Sequence, residues 1–542
     1  MIFHPDHQQH LPLQGPSKGF SVNSRSILRR PSLRGLVAVA LFGALTVTGC
    51  SSAVDQAGAG TEVVEGGILR IGDSGDLTPA SFFSGVPVNA ALSGLVYDTL
   101  ITYPAGSLDP QPALAESWQV SEDGLTITLT LRPDVTFHDG RPMTSDDVQF
   151  SLETYADPAR SGQLARTAQL TTNYNRPDDH TIVLTLAHSA GNFFDLLDVV
   201  PVIDRNTMAD FDSGKGYNGT GAFTFANWQP GSGMTFEANE QYWGGAPNLD
   251  GVEYVIVPDA QTRVSQLRSG QLDLLLNAAP RDADMLAADS NFEVVDQTGV
   301  LRTWYVGANV QAPGLGDVRV RQAIANAVDR ERLLEDVYQG HGNSDNLPWP
   351  EYSPAFDASL NSTYNHDVDK AKALVAEVGA IPVIPISYTA GSSESESIAQ
   401  IIQADLAAVG ITTVIEPIDA ATSVKNLIGG TYGGLWITSH VFAQYTPSTL
   451  PTSAYPFNAY KNTSNFIDAD YQAATEAVWR ITDPKSPEAS AAYQVLNHEL
   501  LDNAVVIGLL NADNTLAMSA AVHDVDWSKR AELDLSNAYL SE

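Results

Sequence analysis

Leu95-Val96-Tyr97-Asp98-Thr99-Leu100, Pro112-Ala113-Leu114-Ala115-Glu116-Ser117-Trp118, Ser121-Glu122-Asp123-Gly124-Leu125-Thr126 and Leu131-Arg132-Pro133-Asp134-Val135-Thr136-Phe137-His138-Asp139-Gly140-Arg141-Pro142 follow one another in the first third of the chain. Asp123-Gly124 is a tight-turn pair. The residues after it alternate strictly: Leu125, Ile127, Leu129 and Leu131 are separated by Thr126, Thr128 and Thr130. That period of two predicts a half-buried strand. His138-Asp139-Gly140 closes the next turn, where small and polar residues satisfy the backbone locally.

Further strands and helices extend outward from this block. Thr181-Ile182-Val183-Leu184-Thr185-Leu186 and Val252-Glu253-Tyr254-Val255-Ile256-Val257 read as strands by their β-branched content. From Asp317, Val320, Ala323, Ile324, Ala327 and Val328 share one helical face, with Arg319, Arg321, Asn326 and Asp329 elsewhere. Ile398, Ile401, Ile402, Leu406 and Val409 repeat the pattern, with Gln403 and Asp405 off that face and Gly410 as the stop. Residues 368–378 form a shorter amphipathic helix. No repeat of 20–50 residues is visible. Alternating strands and helices predict a mixed α/β protein with large lobes. Asn309-Val310-Gln311-Ala312-Pro313-Gly314-Leu315-Gly316 is the best linker, since Pro and Gly punctuate it.

With 542 residues the chain is long enough for three or four units, or fewer large ones, and for a core that needs no staples. Its 64 acidic and 29 basic residues leave a net charge of −35. Such a surface repels nucleic-acid phosphates, so no nucleic-acid partner is expected. The single cysteine, Cys50, excludes an intramolecular disulfide and any Cys-rich metal site.

Cys50 has a context of its own. Arg25, Arg29, Arg30 and Arg34 precede an uncharged run from Gly35 to Gly49, whose apolar heart is Leu36–Phe42. This run is too short to span a bilayer, which takes about 20 residues. It has the layout of a signal peptide. Its end, Val47-Thr48-Gly49-Cys50, resembles the bacterial lipobox, which implies that the Cys50 thiol is acylated and becomes the mature N-terminus. Export through the general route or through a twin-arginine signal built on Arg29-Arg30 both remain open. The small, polar residues after Cys50 read as a flexible tether.

Catalytic motifs are missing. Asn218-Gly219-Thr220-Gly221 lacks the spacing and the Lys of a phosphate loop, and no Gly-x-Ser-x-Gly elbow occurs. His498-Glu499-Leu500-Leu501-Asp502 begins like a zinc-protease helix but has Asp where the second His belongs. The eight histidines beyond the leader never pair at i, i+4. The residues therefore favour binding over catalysis, with no metal and no cofactor expected.

The opening block, continued by Asp146-Asp147-Val148, closely resembles the family 5 solute-binding proteins of bacterial ABC importers, the peptide/nickel/opine group. Gly219-Thr220-Gly221-Ala222-Phe223 with Tyr242-Trp243-Gly244-Gly245 and Pro258-Asp259, then Asp317-Val318-Arg319-Val320-Arg321-Gln322-Ala323-Ile324 with Asp329-Arg330, and Asp369-Lys370-Ala371-Lys372-Ala373-Leu374 agree in the same order. Most of these residues read physically as turns and scaffold rather than ligand contacts.

The resemblance implies an α/β, two-lobed periplasmic-binding-protein-like fold of type II with an additional inserted lobe. On that reading 1–49 is a lipoprotein signal peptide, 50–65 a tether and 66–540 the solute-binding domain. Lobe one is expected at about 66–90, 200–308 and 505–540, the inserted lobe at about 91–199, and lobe two at about 309–504. The expected protein is a monomer on the outer side of the cell membrane, tethered by lipid. It captures a short peptide or related small solute and delivers it to ABC permease and ATPase subunits. A metal chelate, an opine or a sugar conjugate is an alternative cargo. A signalling lipoprotein uncoupled from import and a secreted hydrolase are alternative classes.

In peptide-binding members the ligand pairs with two backbone stretches. The first resembles Ser84, Gly85 and Val86. The second resembles Trp436 through Pro447, with His440, Val441, Phe442, Ala443 and Tyr445 as candidate contacts. Trp436 also reads as core and His440 as an ordinary surface residue. Such members hold the ligand's ammonium with an Asp four residues before the Pro, and here that position is Ala443.

Overall fold

The computed structural model describes residues 66–84 and 89–541. The leader, the tether, Cys50, Gly85 and Val86 lie outside the described residues. After β1 (Ile68–Asp73), the strands β2 (Ala115–Val120), β3 (Thr126–Leu131), β4 (Thr171–Asp178) and β5 (Thr181–Leu186) form an antiparallel sheet in the order β2-β3-β5-β4. The period of two holds on both central strands: Ile127, Leu129 and Leu131, and Ile182, Leu184 and Leu186, are buried, while the threonines and Val183 that alternate with them are half-buried.

The residues of the opening block and the later blocks that share its resemblance contact one another. Asp98 accepts hydrogen bonds from Thr220 Oγ1 (2.7 Å), Tyr242 Oη (3.0 Å) and Trp243 Nε1 (2.9 Å). Arg132 lies over the Trp243 ring at 4.5 Å. His138 donates its backbone N–H to Gly219 O (2.9 Å) and pairs through Nε2 with Gly221 O (3.0 Å). A Cβ at Gly219 would sit 1.8 Å from Val96 O, and one at Gly221 2.6 Å from Leu95 O. These glycines therefore permit backbone contact, which no side chain could survive. In α1 (Ser145–Ala156), Asp147 completes a capping box with Thr144 and receives a bidentate pair from Arg141, both bonds 2.9 Å.

The remaining strands join β1 in a sheet of eleven. They are β6 (Phe223–Gln229), β7 (Gly233–Ala238), β8 (Gly251–Ile256), β9 (Leu274–Leu275), β10 (Phe292–Ala308), β11 (Ile384–Thr389), β12 (Thr413–Ile418), β13 (Leu435–His440) and β14 (Val506–Ser519). Their order is β12-β11-β13-β10-β14-β9-β1-β8-β7-β6, with Gly342–Asn343 pairing beside β14. One half, β12-β11-β13, attaches to β10 through Thr303–Ala308. The other attaches to β14 through Leu274↔Met518 and Leu275↔Ala517. The β10–β14 ladder carries the connection, and its register jumps from Asp296↔Thr515 to Leu301↔Asp513. The break in this ladder falls at 297–300, just before β13 joins β10 at Thr303. The linker read at 309–316 follows it, inside the later half, where buried Asn309 donates to Tyr432 O (2.7 Å).

The helices keep the expected apolar faces and bury more than those faces. In α2 (Phe193–Val199), Asp195 and Asp198 point inward. In α3 (Val318–Ala327), capped by Asp317, the predicted apolar positions are buried, but so are Arg321 and Asn326. Arg321 donates to Leu315 O and Asn503 O, and Asn326 to Gln322 O. Carbonyls left over by loops and helix ends attract these donors inward. Asp405 of α4 (Ser393–Ala408) is buried for the same kind of reason: it accepts from Asp329 N at 3.0 Å.

Candidate ligand-binding site

The first candidate stretch ends a short 3-10 turn, Pro79–Ser84, and the Ser84 carbonyl accepts from Gln163 Nε2 at 2.6 Å. The second comprises β13 and the 3-10 turn Phe442–Gln444. Phe83, which precedes the first stretch, and Gln163, which holds its Ser84 carbonyl, line one small cavity of about 20 Å³ together with Phe442 of the second stretch and Arg530.

Along the second stretch the side chains face inward. Trp436 is fully buried, stacked on Tyr432 (centroids 5.4 Å apart) and edge-on to Tyr305 (5.7 Å). His440, four residues on and on the same face of β13, lies against Tyr305 and Phe457 at 5.3 and 5.2 Å. Its Nδ1 accepts from Phe442 N (3.2 Å), which leaves the proton on Nε2. Burial pushes the His440 pKa down to about 3, so the ring is neutral throughout the physiological range. His440 Nε2 and Trp436 Nε1 are both buried without a hydrogen-bond partner among the described residues. Two unpaired N–H donors on one strand face can serve acceptor oxygens of a guest. Val441 is half-buried and Ala443 buried. Tyr445 is fully buried, and its hydroxyl donates to Asp198 Oδ2 at 2.5 Å.

The other face of β10 opens on a cleft of about 650 Å³. Its walls are the segments that follow the carboxyl ends of β1 (Asp73–Gly75), β8 (Pro258–Val264) and β9 (Asn277–Pro280) on one side. The segment after β11 (Gly391–Glu394) forms the other. Arg302 and Trp304 of β10 and Asp513–Thr515 of β14 contribute between them. The carboxyl ends of parallel strands are where open α/β sheets receive ligands. Both halves of the large sheet thus contribute to one cleft.

The profile of bacterial extracellular solute-binding proteins, family 5 Middle, matches residues 109–465. The chain belongs to this family. Heme-binding protein A of Haemophilus influenzae is 31% identical over 372 residues, covering 62% of this chain and 67% of the relative. The dipeptide-binding protein of Escherichia coli K12 is 30% identical over 370 residues, covering 62% and 68%. The oligopeptide-binding protein AppA of Bacillus subtilis, solved with a nonapeptide, superposes with a TM-score of 0.78 at 22% identity, covering 89% of this chain and 100% of AppA. The two-lobed type II periplasmic-binding-protein fold is therefore established for this solute-binding protein. Among the described residues no helix is long and apolar enough to cross a membrane.

In this family 5 protein, the acids beside the second stretch come from α2. Asp195 accepts from Thr446 N (3.0 Å), Thr446 Oγ1 (2.9 Å), Thr449 Oγ1 (2.5 Å) and Tyr103 Oη (3.2 Å). Asp198 accepts from Tyr103 N (2.9 Å) and Tyr445 Oη. Lys529, also buried, donates to Ala105 O (2.8 Å) and Tyr352 Oη (3.1 Å). Burial raises the carboxyl pKa of Asp195 to about 7 and of Asp198 to about 6, and lowers Lys529 to about 8. Sequence reading missed these three residues, and Arg302 as well. Among 64 acidic residues, nothing local distinguishes the two that fold against residues some 250 positions later.

Proposed function

We propose that this chain is the extracytoplasmic receptor of an ABC importer, capturing short peptides or a chemically related small solute between its lobes. The observation that carries this reading is the 650 Å³ cleft, to which strand ends from both halves of the sheet contribute. A ligand touching both sides binds the closed arrangement more tightly and so selects it. The peptide class is supported by the dipeptide-binding relative and by the fold shared with AppA. We take the lobes to be those expected from the sequence, with the exchange between them running through 297–300 of β10. The stretch from Trp436 to Tyr445, on the opposite face of β10, does not line this cleft; with Ser84, Gly85 and Val86 it is a second candidate contact region. Lipid on Cys50 holds the monomer at the membrane surface, within reach of its permease.

Native mass spectrometry of the purified protein tests the reading. Denaturation should release intact peptides or a related small solute in stoichiometric amount. Recovery of cleaved products with turnover would point to a hydrolase instead. Cys50→Ala should release the protein from membranes, and unchanged retention without detergent would rule out the anchor.

A further inference from the structure

The cleft carries acidic side chains on every wall, and most are engaged within the protein. Asp73 accepts the Tyr254 hydroxyl, Asp259 caps the helix that starts at Ala260, Asp282 takes both its bonds from Gln261, and Glu394 accepts from Ser392 Oγ. Two guanidinium groups share that space. Arg263 is turned back onto Val257 O (2.6 Å) and Pro258 O (3.1 Å). Arg302 is different. Its Nη2 donates to two side-chain amide oxygens, Asn277 Oδ1 at 2.9 Å and Asn514 Oδ1 at 3.4 Å. Its Nε and Nη1 donate to nothing among the described residues, and no carboxylate lies within ion-pair distance of it there.

Arg302 is also well placed. It follows the register jump at 297–300, so it stands where the two halves of the sheet part. Asn277 belongs to the earlier half and Asn514 to β14, the strand to which that half attaches, so the group on β10 is braced across the β10–β14 ladder. Two residues on, and on the same strand face, Trp304 supplies a buried aromatic wall. In a chain of net charge −35 the general field opposes an anionic guest. A guanidinium with an unused edge offsets that repulsion locally, and its planar fork matches a carboxylate.

We infer that Arg302 is the specificity-determining contact for a carboxylate on the bound solute, an inference that rests on the cleft being the binding site. The solute is then a free acid at one end: a peptide with an unblocked C-terminus, or a small carboxylic acid. Wild type, Arg302→Gln and Arg302→Lys are to be incubated with a casein hydrolysate of short peptides and with the same hydrolysate after methyl esterification. Retained material is identified by mass spectrometry. Wild type should retain free acids at least tenfold more than esters, Arg302→Gln should lose that discrimination while keeping its melting temperature, and Arg302→Lys should keep part of it. Equal retention of acids and esters by wild type, or undiminished discrimination by Arg302→Gln, overturns the inference. If wild type retains neither hydrolysate, the peptide reading fails and Arg302 is judged separately by tryptophan fluorescence under titration with succinate. A saturable change in wild type that is absent from Arg302→Gln supports the contact, and identical responses overturn it.

Discussion

Position 443 holds a methyl group where peptide-binding members of the family are expected to hold a carboxylate, and no acid occurs between Trp436 and Pro447. The structure supplies acids nearby, but Asp195 and Asp198 are occupied by hydroxyl and backbone donors of the protein itself. A buried ammonium without a carboxylate forgoes a charge-assisted hydrogen bond of about 1.5–3 kcal/mol. N-acetylation of a bound peptide should therefore change its affinity by less than about tenfold, ~1.4 kcal/mol, when matched peptides are compared by calorimetry. A hundredfold loss would reveal an anchoring acid elsewhere. Gly307 makes a second residue-scale case. Its missing Cβ leaves room for the Trp436 indole, and an added one would fall 2.0 Å from Trp436 Cζ2. Gly307→Ala should displace the indole and destabilise the protein by about 1–3 kcal/mol in urea titration. An unchanged midpoint would mean that the ring has room to move.

Among the elements, α2 has the most unusual chemistry for its length, with two inward carboxyls in seven residues. Because burial raises the folded-state pKa of Asp195 to about 7 and of Asp198 to about 6, each group favours folding most at low pH. That contribution is lost as pH rises from the ordinary carboxylate range through about 6–7. Lys529 runs the other way: its folded pKa is lowered to about 8, so its contribution is present above the ordinary lysine range and is lost as pH falls through about 8. The cluster therefore supports the fold least near pH 7–8. Asp195→Asn should lower stability overall, since four donors converge on its two oxygens and the amide replaces one of these acceptors with an NH2 group. It should also flatten the decline in melting temperature between pH 5 and 7.5 relative to wild type. Parallel pH profiles for the two proteins would show that Asp195 does not titrate in that window. Nothing local in Phe193-Phe194-Asp195-Leu196-Leu197-Asp198-Val199 marks either acid as buried.

For the whole molecule the decisive feature is that its two sheet halves share one ladder. The register jump leaves residues 297–300 of β10 outside regular pairing with β14. Gly299, at φ +83°, packs so near residues 105 and 106 that a Cβ would lie 2.5 Å from Ala105 C. Rotation of the halves is expected to concentrate at this jump, since hinges use a few residues that absorb backbone change. Cognate solute should then compact the protein in small-angle scattering. It should also raise the melting temperature with a stabilisation that follows RT ln(1 + [L]/Kd). Identical scattering profiles with and without saturating solute would refute closure.

Features that neighbours along the chain decide are legible in the residues alone. The threonine alternation of β3, the apolar face that follows Asp317 and the turn at Asp123-Gly124 depend on local sterics and on the period of side-chain burial, whereas glycine is required at 219 and 221 by the distant backbone of Leu95 and Val96. Family membership follows from many such local features kept in order. Which distant groups meet depends on how the folded backbone brings them together. Arg302 joins Asn277 and Asn514, and Asp195 joins Tyr103 and Thr446. Such pairings span up to some 250 positions, and any polar residue can find a partner at that separation once the backbone brings it near. The core can also enclose an arginine or an aspartate that the helical pattern assigns to solvent, as with Arg321 and Asp405, because unpaired backbone groups inside the fold provide the partners.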